Sequence, residues 1–195
     1  MNRREAIERT ALILGYAVSA PAIMGILKGC KPAHELNYKP VFFTVEQANL
    51  VGEIAEVIIP KTDTPGAKDV GVPSFIDLIL KDAYPQAEKD HFLKGLQEFE
   101  EETKKTYGSS FVDLEPGKQK GMVKAIHDPA VAAVKAPSAK GEVREKPFIL
   151  VIKELTLLGF FTSEPGATQV LQYDPVPGAY HGCLPLAEVG KTWAT

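Results

Sequence analysis

The pattern of apolar and polar positions in the body of the chain predicts helices, beginning at Thr44. Thr44 and Gln47 have the spacing of a capping box, in which each side chain satisfies the other residue's backbone N–H. Apolar residues then recur on one broad face as far as about Ile59, and Pro60 ends the helix.

Four further segments follow, separated by a loop at residues 61–72 and by shorter turns. Pro73 suits the first position of a second helix. Apolar residues spaced by three and four predict a long polar helix at residues 86–106 and a shorter helix at 115–127. The Ala-, Pro- and Lys-rich residues 128–142 are expected to form a mobile loop or a weak helix.

Phe148 to Phe161 is the most apolar part of the body and is predicted to be the central core helix. Beyond it, turns rich in proline and glycine predict an irregular C-terminal tail. No stretch alternates with a period of two, which argues against a substantial sheet. We therefore expect an all-α domain at residues 44–195, with about five to six helices.

The N-terminus has a different pattern, which indicates an export signal at residues 1–29. A basic start precedes the uncharged residues 10–27, TALILGYAVSAPAIMGIL. The pair Arg3-Arg4 resembles a twin-arginine signal, the route for folded proteins. An uncleaved anchor helix is the second interpretation of this segment.

Cys30 lies where the apolar run ends, in the sequence LKGC, which resembles a lipobox. Lipidation there would anchor the chain to a membrane without a spanning helix, and residues 30–43 would then act as a tether. Cleavage after Ser19-Ala20-Pro21-Ala22 is the competing interpretation.

Composition narrows the class of protein. The 195 residues include 22 basic and 25 acidic ones, a net charge of −3. The first 29 residues hold four basic and two acidic ones, which leaves 18 and 23, a net charge of −5, for the rest. This acidic body argues against nucleic-acid binding.

Motifs for catalysis, cofactor binding and metal binding are absent from the sequence. It has no dinucleotide or phosphate-binding glycine motif, no haem-attachment motif and no nucleophile elbow. The four histidines lack zinc-site spacing, and His91 and His127 are interpreted as surface or satisfied interior groups. The acidic run at residues 98–102 is interpreted as a solvated helix face. A small polar site formed by Tyr173, Asp174, Tyr180 and His181 is the weakest hypothesis.

Cys183 is the second of only two cysteines. If Cys30 is lipidated, Cys183 is a leftover thiol in an oxidising compartment. Such a thiol indicates either an intersubunit disulfide or a buried, inert side chain. Without lipidation, a Cys30–Cys183 disulfide becomes an alternative.

Four motifs carry a resemblance to a known family. They are IAEVIIPKTDTPGA at residues 54–67, GVPSFID at 71–77, LLGFFTS at 157–163 and VPGAYHGC at 176–183. Together they resemble the gluconate 2-dehydrogenase subunit 3 family.

The resemblance implies a small, helical, non-catalytic subunit. Its partner would be a flavin-dependent dehydrogenase of the glucose–methanol–choline type, with FAD in that partner and a cytochrome c often taking the electrons. It also implies that the small subunit carries the twin-arginine signal for both chains. A stand-alone periplasmic lipoprotein that binds a small ligand or an envelope component is the alternative. A subunit should expose an apolar patch, which we expect around residues 162–185 and the loop 61–72.

Overall fold

The computed structural model describes residues 36–136, 145–176, 178–179 and 182–194, and these form an all-helical domain. The helices are α1 Val45–Ile58, α2 Val72–Ala83, α3 Gln86–Tyr107, α4 Pro116–Lys135, α5 Phe148–Phe161 and a short α6 Leu186–Val189. The described residues contain no strand, only an isolated bridge between Gln172 and Trp193. The predicted fold class is confirmed.

The start of α1 shows how local sequence sets a helix boundary. The backbone N–H of Gln47 donates to the Thr44 hydroxyl at 3.2 Å, and the Thr44 N–H donates to Gln47 Oε1 at 3.0 Å. The helix ends at Ile58, just before Pro60. The predicted capping box and its helix are thus confirmed.

Helix α4 is longer than predicted, because it continues through Pro129 to Lys135. Residues 128–135 thus follow the weak-helix alternative, although proline lacks the N–H that would bond to the fourth residue back. The alanines at positions 130, 132 and 133 favour helix strongly enough to extend it beyond the proline. The remainder of the predicted loop, residues 137–142, lies outside the described residues.

Helix α5 is the centre of the domain, as its sequence predicts. It packs against α1, α2, α3 and α4. Its buried side chains include Ile149, Ile152, Leu155 and Phe160. The buried Thr156 hydroxyl is satisfied because it donates to the Ile152 carbonyl at 2.7 Å.

Two glycines let neighbouring helices approach α5 closely. A Cβ atom at Gly159 would lie 2.6 Å from the ring of Phe75 in α2, and one at Gly95 of α3 would lie 2.3 Å from the Cβ of Phe148. At the other end of α2, burial and then the charge of Glu154 raise the pKa of Tyr84. Helices α2 and α5 therefore run antiparallel.

The segment before α1 is fixed to α2 by one buried carboxylate. Asp77 accepts the backbone N–H groups of Val41 at 2.7 Å, Phe42 at 3.1 Å and Phe43 at 2.8 Å. Burial, with the charge of Asp77, raises the pKa of Tyr38 to about 12. Residues 36–43, predicted as part of the tether, thus pack against the helical body, whereas residues 30–35 lie outside the described residues.

We expect Gly95→Ala to destabilise the domain by about 1–3 kcal/mol, because its methyl group meets the Cβ of Phe148 and cannot turn away. Gly117→Ala is the matched control, since a Cβ atom there has no neighbour within 4 Å. The control should be neutral or stabilising by up to about 1 kcal/mol. Urea unfolding of both variants checks the difference, and equal stabilities would contradict the close approach.

We also expect Asp77→Ala to lower the free energy of unfolding by about 2–4 kcal/mol, because it leaves three backbone donors without their acceptor. Asp82→Ala, on the exposed side of the same helix, should change it by no more than about 0.5 kcal/mol. The same urea titration measures both. A small loss for Asp77→Ala would mean that water replaces the carboxylate readily.

Candidate interaction site

The loop between α1 and α2, residues 59–71, is held in one shape by two carboxylates. Glu56 accepts the backbone N–H groups of Lys61 and Lys68, each at 2.9 Å. Asp69 accepts the Gly66 N–H at 3.1 Å and also pairs with Lys61. The N–H of Gly66, and next the Lys61 ammonium, lower the pKa of Asp69. A loop of this length without regular structure commonly has a function.

This loop lies at the same end of the domain as the C-terminus of α5. The loop leads directly into α2, whose residue Phe75 packs on Gly159, two residues before α5 ends. The part of the loop that joins α2 and the last turn of α5 therefore belong to one end of the α2–α5 pair.

The last two turns of α5 expose three large apolar side chains, Leu157, Leu158 and Phe161, which we call the α5 face. Their exposed fractions are 37%, 45% and 39%. A helix that is apolar around its whole circumference is normally buried on all sides. The described residues cover most of α5 and leave this face exposed, together with Glu154 one turn before it.

The chain after α5 is more ordered than its composition predicts. The Ser163 hydroxyl donates to the Phe160 carbonyl at 2.6 Å and accepts the Gly166 N–H at 3.1 Å. Further on, the Gln172 N–H donates to the Thr192 carbonyl at 2.8 Å, and the Ala194 N–H donates to the Gln172 carbonyl at 2.7 Å. These bonds close the tail into a large loop.

Cys183 lies near the middle of this closed tail and is an exposed, free thiol. The interpretation as a buried, inert thiol is therefore wrong for the chain by itself. The reason is that the tail folds back on Gln172 rather than onto the helical core. The intersubunit disulfide stays a prediction.

A surface cavity of about 490 Å³ lies at the opposite end of α5, between α3, α4 and residues 145–149. Its floor is apolar and includes Phe99 and Phe148, but its rim carries Lys94, Glu98 and Glu145. Ligand sites of this size are usually lined mainly by apolar groups with few charges.

The histidines in the described residues are occupied in structural contacts. His91 Nε2 lies 3.0 Å from the Lys146 carbonyl oxygen, and its Nδ1 lies 3.3 Å from Glu145. His127 contacts Lys153 at 2.9 Å and Asp128 at 3.2 Å. This confirms their interpretation as surface or satisfied groups.

Neither a metal centre nor a membrane span is found within the described ranges. No three of the described His, Cys, Asp and Glu side chains are placed to hold a metal ion. None of the described helices combines the length and the apolarity needed to cross a membrane. Arg3, Arg4, Cys30, Tyr180 and His181 lie outside the residues that the structure describes.

A family model described as Gluconate 2-dehydrogenase subunit 3 matches residues 45–178, more than half of the chain. The chain belongs to the gluconate 2-dehydrogenase subunit 3 family. Membership implies an accessory subunit that associates with the other subunits of a gluconate-dehydrogenase type of complex. No significant match was found among curated proteins or among solved structures.

In this member of the subunit 3 family, the structure gives roles to motif residues that sequence reasoning had quoted without a role. Glu56 and Asp77 hold backbone groups up to 12 and 36 residues away. Gly66 lies against the Glu56 carboxylate, where a Cβ atom would come within 2.3 Å of an oxygen. No local sequence pattern signals these contacts, because their partners lie far along the chain.

The expected apolar patch is only partly where the sequence placed it. In the tail, Tyr173, Val176 and Leu184 are exposed, as expected. The loop 61–72 was the wrong choice, because Val70 is half-buried and Val72 is fully buried. The α5 face was not predicted, because its three residues belong to the most apolar segment, which was expected to be the core helix.

Proposed function

We propose that this chain is a non-catalytic small subunit that escorts, stabilises and membrane-tethers a periplasmic FAD-dependent dehydrogenase of sugars, sugar acids or polyols. The observation that carries the proposal, beyond family membership, is the α5 face. Exposed Leu157, Leu158 and Phe161 on the central helix are what a subunit shows when its partner is absent.

The N-terminal motifs supply the export and attachment parts of the proposal. A twin-arginine signal at Arg3 and Arg4 suits a complex whose flavin must be inserted before export. A lipid on Cys30 would then hold the complex at the membrane. The redox chemistry belongs to the FAD of the large subunit, and a cytochrome c is the proposed electron acceptor.

The alternative is a stand-alone periplasmic lipoprotein that binds a small ligand. The cavity between α3 and α4 has a suitable volume, about 490 Å³. Its charged rim and the uncovered α5 face favour the subunit instead.

We expect a tagged chain, purified from membranes of its native host, to bring a large subunit with the absorbance spectrum of a flavin. Arg3→Lys combined with Arg4→Lys keeps the charge and breaks the signal, so both chains should stay in the cytoplasm. Arg9→Lys is the matched control and should be exported normally. Recovery of this chain alone, without flavin absorbance, would contradict the proposal.

We also propose that Cys183 forms a disulfide with a thiol of the large subunit, because it is exposed and the periplasm favours disulfides. A non-reducing gel of the complex should show a heterodimer that reductant separates. The band should vanish in Cys183→Ser and persist in Cys30→Ser. If the wild-type complex shows no such band, the disulfide is ruled out while the subunit role stands.

A further inference from the structure

The α5 face is built as a rigid surface. The Phe161 ring packs edge-on against the buried Phe160 ring, with centroids 5.2 Å apart and planes at 86°. The Thr162 hydroxyl donates to the Leu158 carbonyl at 2.7 Å and so closes the helix end. Aromatic side chains held in this way lose little conformational freedom on binding and are frequent anchors of interfaces.

The chain around this face has an unusual charge. Residues 154–190 contain no lysine and no arginine over 37 positions, but they contain four acidic residues. At the chain's average of 22 basic residues in 195, that length would hold about four.

The neighbouring loop 59–71 does not restore positive charge to this end of the domain. Lys61 pairs with Asp69 at 3.0 Å, and Lys68 pairs with Glu53 at 2.5 Å. The exposed carboxylate of Glu164, three residues after Phe161, has no ionic partner among the described residues. This end of the molecule is therefore apolar with an acidic edge.

The acidic edge favours a protein over an anionic membrane as the binding partner of the α5 face. Membrane leaflets rich in anionic lipid attract lysine and arginine and repel carboxylates. A protein surface with basic residues around an apolar centre is complementary to this edge.

We infer that the α5 face docks onto the dehydrogenase large subunit, in an apolar hollow that receives Phe161 and is edged by lysine or arginine side chains facing Glu164. This inference rests on the proposed function and adds to it the contact surface and the chemistry of the partner's side.

The test measures the affinity of the full chain for the flavin-loaded large subunit of its own complex, in a Cys183→Ser background that removes any covalent link. Leu158→Ser with Phe161→Ser should weaken binding by at least about tenfold. Val45→Ser with Val134→Ser, at equally exposed positions on α1 and α4, should leave binding unchanged. Equal thermal unfolding of the two double variants shows that both are folded.

A charge reversal keeps the test independent of any folding defect. Glu164→Lys should weaken binding, and its effect should shrink at high salt because basic residues face it. Glu101→Lys, on the exposed face of α3, is the control and should have no effect.

The remaining outcomes separate the two proposals. If wild-type chain binds the flavoprotein and the α5-face variants bind equally well, the docking surface is overturned and the subunit role stands. If the wild-type chain binds no flavoprotein, both the subunit role and the docking surface are wrong. Two further results would overturn the inference. If the chain with Cys30→Ser binds anionic phospholipid vesicles and the α5-face variants do not, the face binds lipid. If the wild-type chain forms a homodimer that the α5-face variants do not form, the face binds a second copy.

Discussion

Helix α5 carries large apolar side chains around most of its circumference, interrupted by Lys153 and Glu154, and such a helix is stable in water only when most of it is covered. The domain supplies four neighbouring helices, and Gly95 and Gly159 allow two of them to approach closely. These helices leave the side chains of Leu157, Leu158 and Phe161 exposed. The need to cover α5 thus organises the fold and, among the described residues, leaves these three apolar side chains of the helix exposed.

Two carboxylates near this helix hold backbone segments in place. Glu56 fixes the loop before α2, and Asp77 fixes the segment before α1. The described part of the chain is therefore a rigid scaffold that presents a surface, in accord with an accessory role in a dehydrogenase complex.

Local signals in the sequence were sufficient to predict much of the fold. The Thr44–Gln47 capping box and Pro60 bounded α1, and the apolar run at Phe148 located α5. The sequence left a loop and a weak helix open for residues 128–142, and helix propensity around Pro129 outweighs the one lost hydrogen bond as far as Lys135. Exposure of Cys183 and of the α5 face depends on contacts between distant segments, which no local pattern reports. The partners of Asp77, more than 30 residues away, were hidden for the same reason.

Hydroxyl-radical footprinting of the free chain and of the purified complex tests the central claim most directly, since it reports the solvent exposure of individual side chains. The account predicts that oxidation of Phe161 falls sharply in the complex, whereas oxidation of Tyr107 on α3, which is similarly exposed in the free chain, stays unchanged. Equal oxidation of Phe161 in both samples would contradict it, because the apolar face of the central helix would then remain open with the partner bound.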